Sequence, residues 1–262
     1  MNIFQAIIMG IFQGIAEFLP ISSSGHLILL HRMFGMEEPA LTFDIVVHVA
    51  SLIAILVVFW PDVWALIKNP FCKMTGLLIV GTIPVVVAGF IFRDSIEYLQ
   101  TGIWLTAAFT VTGFLLVFAD RFTAGTKEER DITYVDALIV GIMQAMALPP
   151  GISRSGTTIA GALSRGINRE AAAKFSFLLA IVAITGAGVL ESIQVARGAV
   201  EPAGIGLAQM IAGFVASLIV SYFSIRLLLR LIKACKLKYF AYYVWALAAL
   251  ILLDVVIINR FF

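Results

Sequence analysis

Two segments of this chain repeat each other without a gap, and each carries polar residues into an otherwise apolar stretch. Residues 6–28 are AIIMGIFQGIAEFLPISSSGHLI, and residues 137–159 are ALIVGIMQAMALPPGISRSGTTI. Residue 6 aligns with residue 137, so the offset is 131, half of the 262-residue length. Each copy ends in a Ser-x-Ser-Gly turn between short apolar stretches. This pattern is typical of broken helices that bring polar groups together inside a membrane protein.

The composition restricts the class of protein. Hydrophobic residues make up 61% of the chain, charged residues only 13%, and the mean hydropathy is +1.03. Soluble domains carry about 25% charged residues. We therefore expect an all-α polytopic membrane protein without a nucleic-acid partner. Because no basic segment precedes the first apolar run, we expect no cleavable signal peptide.

Six stretches approach the length of about 20 apolar residues that crosses a bilayer. These predicted spans are residues 43–60, 74–92, 102–120, 172–190, 207–226 and 240–258. Loops such as residues 61–73 are expected between them. The repeat segments, residues 3–36 and 134–166, are each interrupted by Pro, Gly and Ser, which break helices. Each segment therefore either crosses the membrane in two pieces or enters and returns.

The positions of Lys and Arg favour re-entrant segments. With both segments re-entrant, thirteen basic residues share one side, four lie on the other, and Arg154 is in the interior. If both segments crossed the membrane, ten basic residues would lie on one side and seven on the other. Cytoplasmic loops carry an excess of Lys and Arg, so we predict the first arrangement.

Each half of the chain, residues 1–131 and 132–262, is then one re-entrant hairpin plus three transmembrane helices within one integral membrane domain. Three spans are an odd number, so the halves form an inverted-topology repeat. We expect the hairpin tips to meet near the midplane of the membrane. Both termini and the opening of the site are predicted on the outer side.

The tips supply groups suited to phosphate. A helix that begins at residues 22–25, Ser-Ser-Ser-Gly, directs its N–H groups and positive dipole end at the cavity. In the second tip, Arg154 needs an anionic partner at membrane depth, and its planar fork fits phosphate oxygens. The alternatives are simple helix capping and a structural ion pair between Arg154 and Glu17.

Glu17 lies one turn before the first tip and four residues after Gln13, so both lie on one helix face. A carboxylate there is suited to act as a general base or to help bind a divalent cation. The alternative is a protonated glutamic acid without a chemical role.

His26 follows Ser23 closely enough to serve as base, acid or nucleophile. Asp44 and His48, four residues apart, are interpreted as a satisfied interior pair.

These residues resemble the signatures of a known family. Gln13-x-x-x-Glu17, followed by FLPISSSGH, resembles the (E/Q)xxxE signature of the undecaprenyl-diphosphate phosphatase (bacitracin-resistance) family. Residues 150–158, PGISRSGTT, resemble its PGxSRSxxT signature at every fixed position. The resemblance covers the whole chain in length and span order. It implies an integral membrane enzyme that hydrolyses undecaprenyl diphosphate to undecaprenyl phosphate and inorganic phosphate, recycles the carrier for peptidoglycan and other cell-wall polymers, and confers bacitracin resistance.

The resemblance also implies a divalent cation, Mg²⁺ or Ca²⁺, and a homodimer among the lipids of the bacterial plasma (inner) membrane. Many members have Glu where this chain has Gln13, which leaves Glu17 as the metal-ligand candidate. The catalytic candidates are Glu17, Ser23, His26 and Arg154. Ser23 is the favoured nucleophile with Glu17 as base, and the role of His26 stays open. The candidates for binding the diphosphate are Gln13, Ser22, Ser24, Gly25, Ser153, Ser155, Gly156 and Thr158. The alternative function is an inverted-repeat transporter or flippase of polyprenyl phosphate.

Overall fold

The computed structural model describes residues 1–36, 41–122, 125–197, 204–233 and 237–262. Within these ranges the chain forms eleven α-helices and no β-strand. They are α1 (Ile3–Ala16), α2 (Ser23–Met33), α3 (Leu41–Val58), α4 (Trp60–Lys68), α5 (Lys73–Glu97), α6 (Gly102–Arg121), α7 (Tyr134–Ala145), α8 (Arg154–Ser164), α9 (Arg169–Ala196), α10 (Leu207–Lys233) and α11 (Leu237–Leu253). A π-helical turn, Asp254–Ile258, continues α11.

Six helices, α3, α5, α6, α9, α10 and α11, are long and apolar enough to cross a membrane. The prediction of an all-α polytopic membrane protein is therefore confirmed.

The helices of the two repeat segments are shorter. The 14 residues of α1 extend for about 21 Å, less than the hydrocarbon core of about 30 Å. The inverted orientation of the two halves stays a prediction.

The two broken segments begin and end at equivalent positions. Asn2 and Thr133, separated by the repeat offset, cap α1 and α7 through capping boxes that satisfy two N–H groups each. Gly35 and Gly166, separated by the same offset, follow α2 and α8 with φ of +69° and +73°. This left-handed conformation favours glycine. The sequence repeat is therefore also a repeat of local structure.

Glycines let each hairpin approach a transmembrane helix of the other half. Helix α1 packs against α10, and α7 packs against α5. A Cβ on Gly10 would collide with the backbone oxygen of Gly213, and a Cβ on the equivalent Gly141 would collide with that of Gly81. Small residues permit this close packing of membrane helices. The same helix crossing thus occurs twice.

Residues 61–73, predicted as a loop, instead contain most of α4. Pro61 lies at the start of this helix, where its missing N–H costs nothing. None of its residues is buried, and Trp60 stacks on Trp64. Asp62 pairs with Lys174 of α9 at 2.5 Å. The pattern is typical of an amphipathic helix at a membrane surface, where proline and charge are compatible with helical structure.

Candidate active site

The two hairpin tips lie against each other, as the repeat predicts. Ser155 in the second tip donates a hydrogen bond to the carbonyl of Leu19 in the first, at 3.3 Å. A Cβ on Gly25 would lie 2.9 Å from the Cα of Gly151. Gly151 has a φ of +93°, in the region that favours glycine. The tips can approach this closely because glycine stands on both sides of the contact.

Glu17, the C-cap of α1, collects the polar contacts between the tips. Arg154 Nη2 donates to Oε1 at 2.7 Å, and Ser23 Oγ donates to Oε2 at 2.5 Å. Gln13 Nε2 donates to Oε2 at 3.1 Å. The Glu17 side chain is only 6% exposed. The structure therefore brings four of the predicted site residues into one cluster around the buried Glu17 carboxylate.

A small cavity of about 60 Å³ opens beside this cluster. Helices α2 and α8 begin at its edge, so their first N–H groups and positive dipole ends lie beside it. Arg154 Nη1 is buried and has no hydrogen-bond partner among the described residues. Such an arrangement suits an anion such as phosphate. The lining residues are Ala16, Glu17, Ser22, Ser23, Ser24, Ala147, Ile152, Ser153 and Arg154.

The backbone of the first tip is strained at Ser22. This residue has φ +69° and ψ 98°, a conformation uncommon for any residue other than glycine. Its hydroxyl accepts a hydrogen bond from the N–H of Gly25 at 3.5 Å and lies 3.3 Å from Ser24 Oγ. The equivalent residue, Ser153, has an ordinary φ of −76°. Strained conformations are concentrated at functional sites. Here the strained residue, Ser22, directly precedes Ser23 in the chain.

Thr112 of α6 fixes the turn of the second tip. Its hydroxyl donates to the carbonyl of Gly151 at 2.9 Å and accepts from the N–H of Ser153 at 3.1 Å. Ser153 in turn caps α8 by accepting from the N–H of Gly156 at 3.2 Å. Thr112 is 1% exposed. It was missed because a single Thr within an apolar span has no pattern that marks its function.

Thr158, predicted to bind the diphosphate, does not line the cavity. Its hydroxyl donates to the backbone carbonyl of Arg154 at 2.8 Å and lies 2.6 Å from Ser176 Oγ of α9. Thr158 is fully buried. The contacts that the structure shows therefore hold the first turn of α8, which begins at Arg154. Binding of diphosphate by Thr158 stays a prediction.

His26 lies behind the first tip rather than in the cavity. Its Nδ1 is 2.7 Å from the carbonyl of Ser22, so this nitrogen carries a proton, because a carbonyl only accepts. Its Nε2 is 2.8 Å from the hydroxyl of Tyr243. Both ring nitrogens are thus engaged, and the ring is 2% exposed. The structure places Ser23, not His26, in contact with Glu17.

His48 of α3 is a site neighbour that the sequence analysis missed. The spacing of Asp44 and His48 predicts a satisfied interior pair. Instead, the Nδ1 of His48 bonds the backbone carbonyl of Asp44 at 2.7 Å, and its Nε2 lies 3.6 Å from Glu17 Oε2. The Asp44 carboxylate lies 3.5 Å from His31 Nε2. The spacing of four residues placed the imidazole over the preceding carbonyl, and this turned its other nitrogen towards Glu17.

The residues around the cavity offer few metal ligands. They therefore fit a cation that is bound partly by substrate oxygens better than one that is bound by protein ligands alone. Within the described part of the chain, no three His, Cys, Asp or Glu residues are grouped to hold a metal ion. Glu17 is the one carboxylate among the lining residues. Gln13, which lies beside Glu17 rather than in the cavity lining, has a buried Oε1 without a hydrogen-bond partner among the described residues. Mg²⁺ is commonly bound by one or two carboxylates plus substrate phosphates.

Fold and site together define a class, a multi-pass helical membrane protein whose paired broken helices enclose a cluster of serine, carboxylate and arginine side chains. Comparison with known proteins gives the family. The profile described as bacitracin resistance protein BacA matches residues 6–250, and the chain belongs to this family.

Full-length relatives agree with this assignment. The undecaprenyl-diphosphatase of Carboxydothermus hydrogenoformans is 46% identical over 253 residues, covering 96% of this chain and 97% of that protein. Undecaprenyl-diphosphatase 3 of Bacillus cereus is 46% identical over 254 residues, covering 97% of each. The undecaprenyl-diphosphatase of Methanosphaera stadtmanae is 40% identical over 266 residues, covering 93% of this chain and 94% of that protein. The family resemblance found in the sequence is confirmed.

Proposed function

We propose that this chain is an integral membrane phosphatase that hydrolyses undecaprenyl diphosphate to undecaprenyl phosphate and inorganic phosphate. Family membership and the names of the full-length relatives support this activity. The structural observation that carries it is the Ser23 hydroxyl held 2.5 Å from the carboxylate of Glu17, which also binds Arg154. These groups are a nucleophile, a proton acceptor and a charge stabiliser, the parts that phosphoryl transfer requires.

Arg154 is placed to bind the diphosphate. Its Nη2 is held by Glu17, and its Nη1 is unpartnered among the described residues. A bound phosphate oxygen completes the hydrogen bonding of Nη1, and the N–H groups that begin α2 and α8 add further donors. Donors fixed before the reaction stabilise the charge that develops on the phosphoryl oxygens.

In the chemical step, Ser23 Oγ attacks the terminal phosphorus while its proton passes to Glu17 Oε2. The bond between that phosphorus and the bridging oxygen breaks, and undecaprenyl phosphate leaves with the bridging oxygen. Water then attacks the phosphoserine, releases inorganic phosphate and restores the hydroxyl. His26 is less suited to be the nucleophile because both of its nitrogens are engaged.

A divalent cation, Mg²⁺ or Ca²⁺, belongs to the same proposal. Glu17 and the Oε1 of Gln13 would hold it together with oxygens of the bound diphosphate. When bound, such a cation supplies positive charge that neutralises the phosphate oxygens. A loss of activity in EDTA that Mg²⁺ or Ca²⁺ reverses is the expected result.

The biological setting follows from this activity and from the positive-inside distribution. We place both termini and the cavity opening on the outer side of the plasma membrane, with a homodimer as the assembly.

The polyprenyl tail lies along the apolar helices and reaches the cavity sideways from the bilayer. Recycling of the lipid carrier then supports cell-wall synthesis and bacitracin resistance. Labelling of cysteines placed in the loops tests the orientation.

Release of phosphate in detergent separates this function from its rival. A transporter or flippase of polyprenyl phosphate needs two compartments, and a detergent micelle provides none. Purified protein is expected to release inorganic phosphate from undecaprenyl diphosphate in detergent. A folded protein that released none, and that moved lipid phosphate across liposome membranes, would support the rival instead.

A further inference from the structure

Tyr243 of α11 lies outside both tips and both sequence signatures, but it contacts the histidine of the first tip. Its hydroxyl lies 2.8 Å from Nε2 of His26, and the two rings stack with their planes 7° apart. Phe12 of α1 and Phe109 of α6 pack on the same imidazole, with ring centroids 6.0 Å and 5.5 Å away. The orientation of the imidazole is therefore defined by side chains from three helices other than its own.

The tyrosine hydroxyl also selects the tautomer of His26. Nδ1 lies 2.7 Å from the carbonyl of Ser22, and a carbonyl only accepts, so Nδ1 carries the proton. In the neutral ring, Nε2 is then an acceptor, and the O–H of Tyr243 donates to it. The opposite tautomer would present a lone pair of Nδ1 to the carbonyl and a second donor to the tyrosine. The hydroxyl therefore favours the form of the imidazole that binds the carbonyl.

The bond to the Ser22 carbonyl acts on the strained part of the first tip. Ser22 has φ +69° and ψ 98°, and its carbonyl accepts from the backbone N–H of His26 at 3.3 Å as well as from Nδ1. This carbonyl and the N–H of Ser23 belong to one planar peptide group. Because Ser23 is already helical, the orientation of that peptide group determines where its side chain points. Strained conformations persist only where the surrounding structure over-determines them.

The second tip provides an internal comparison. Ser153, the equivalent of Ser22, has an ordinary φ of −76°, and its carbonyl accepts from the N–H of Thr157 at 2.9 Å. Thr157 stands at the position of His26, and its hydroxyl donates to the carbonyl of Arg154 at 2.9 Å. The imidazole thus occurs with the strained turn and is replaced by a threonine where the turn is relaxed.

We propose that Tyr243 is a positioning residue for Ser23 and acts through His26; this inference rests on the proposed phosphatase function. One hydrogen bond joins the Tyr243 hydroxyl to Nε2, and a second joins Nδ1 to the Ser22 carbonyl. The peptide group that follows then presents the Ser23 hydroxyl to Glu17 Oε2, at 2.5 Å. Tyr243 makes no contact with the substrate, and its effect on turnover comes from the direction of the Ser23 side chain.

Tyr243→Phe tests this role, because it keeps the stacked ring and removes one hydroxyl. We expect kcat per folded protein to fall about tenfold, since a small misplacement of a reacting group costs up to about 10²-fold. KM should stay within about threefold of the wild-type value. Tyr242→Phe is the matched control, because its exposed ring contacts Tyr239 and Trp245, and it should retain kcat. A Tyr243→Phe protein with the wild-type kcat overturns the proposal, whatever its unfolding temperature.

Two substitutions of His26 separate positioning from direct chemistry. The amide nitrogen in His26→Asn is the same number of bonds from Cα as Nδ1 and can donate to the Ser22 carbonyl, whereas the side chain in His26→Leu cannot. We expect kcat of His26→Asn to exceed that of His26→Leu by about tenfold. Neither variant can supply an imidazole as base or nucleophile. Equal kcat values in the two folded variants would therefore reject positioning through this carbonyl.

A double substitution tests whether Tyr243 acts through His26. In His26→Asn the Nε2 acceptor is gone, so adding Tyr243→Phe should lower kcat by less than about twofold. Full additivity of the two effects on kcat would contradict the proposed route. Wild-type protein that releases no phosphate would contradict the proposed function, whereas active wild type beside an unaffected Tyr243→Phe contradicts only the role of Tyr243.

Discussion

Glu17 Oε1 and Arg154 Nη2 lie 2.7 Å apart, although 137 positions separate the two residues in the chain. The contact joins the first hairpin to the second, and the two side chains are 6% and 16% exposed. Removal of one partner from a buried pair leaves an uncompensated charge and typically costs about 3–5 kcal/mol. The pair therefore contributes to folding as well as to the proposed chemistry. Parallel measurements of stability and turnover separate the two contributions.

Replacement of Arg154 by lysine tests the guanidinium itself. Arg154→Lys keeps the positive charge but loses the planar fork that binds Glu17 and phosphate together. We expect kcat/KM for phosphate release to fall about 10²-fold, with a smaller loss of thermal stability than in Arg154→Ala. If Arg154→Ala unfolds at a lower temperature yet turns over at the wild-type rate, the pair is structural only.

Ser23→Ala removes the proposed nucleophile. The expected loss in kcat is about 10³-fold or more, in line with the removal of a nucleophile elsewhere. Ser192→Ala is the matched control, because its exposed hydroxyl donates to the Gly188 carbonyl of its own helix, at 2.6 Å, and it should leave kcat unchanged. Substantial activity in Ser23→Ala would contradict this assignment and support His26 or water as the attacking group.

Thr112→Val tests whether the turn of the second tip positions Arg154. The isosteric change leaves the Gly151 carbonyl and the Ser153 N–H without their partner, at about 1–3 kcal/mol for an unsatisfied buried group. We expect kcat/KM to fall about tenfold because Arg154 follows this turn directly. Thr106→Val, in the same helix, removes a hydroxyl that donates to the Gly102 carbonyl, at 2.9 Å. Equal effects of the two substitutions on kcat/KM would argue against a role for Thr112 in the tip.

Local patterns were sufficient to predict much of this protein. The six long helices follow from apolar length, and the tips follow from proline interruptions and from Gly and Ser at repeated positions. Gln13 and Glu17 could be paired because a spacing of four residues puts them on one helix face. Arg154 was recognisable because a buried cation requires an anion. Each of these inferences needed only neighbouring residues or the repeat.

The remaining features depend on contacts between distant helices. Thr112 and His48 lie in transmembrane helices, and their partners in the tips are defined only by packing. The orientation of His26 depends on Tyr243, which is 217 positions away. A spacing rule gives the face of a helix but not which nitrogen of a ring meets which neighbour. These residues therefore required the three-dimensional structure.

Gly141→Ala tests the close crossing of α7 and α5. The added Cβ collides with the backbone of Gly81, which cannot move aside as a side chain can. We expect a loss of about 1–3 kcal/mol, the usual range for overpacking, detected as a lower unfolding temperature in detergent. Gly186→Ala in α9 is the control, because nothing lies within 4 Å of its new Cβ. There, stability should stay the same or rise by up to about 1 kcal/mol, since Ala favours helix.

Phosphate release by wild type and Glu17→Gln, compared in one detergent at saturating undecaprenyl diphosphate, tests the central claim most directly. Glutamine preserves the shape of the side chain but cannot accept the proton of Ser23 or balance the charge of Arg154. We predict steady release by the wild type and a kcat lower by about 10³-fold in the variant, within the range for proton-transfer groups. Wild-type turnover in a folded Glu17→Gln protein would contradict the assignment of this site.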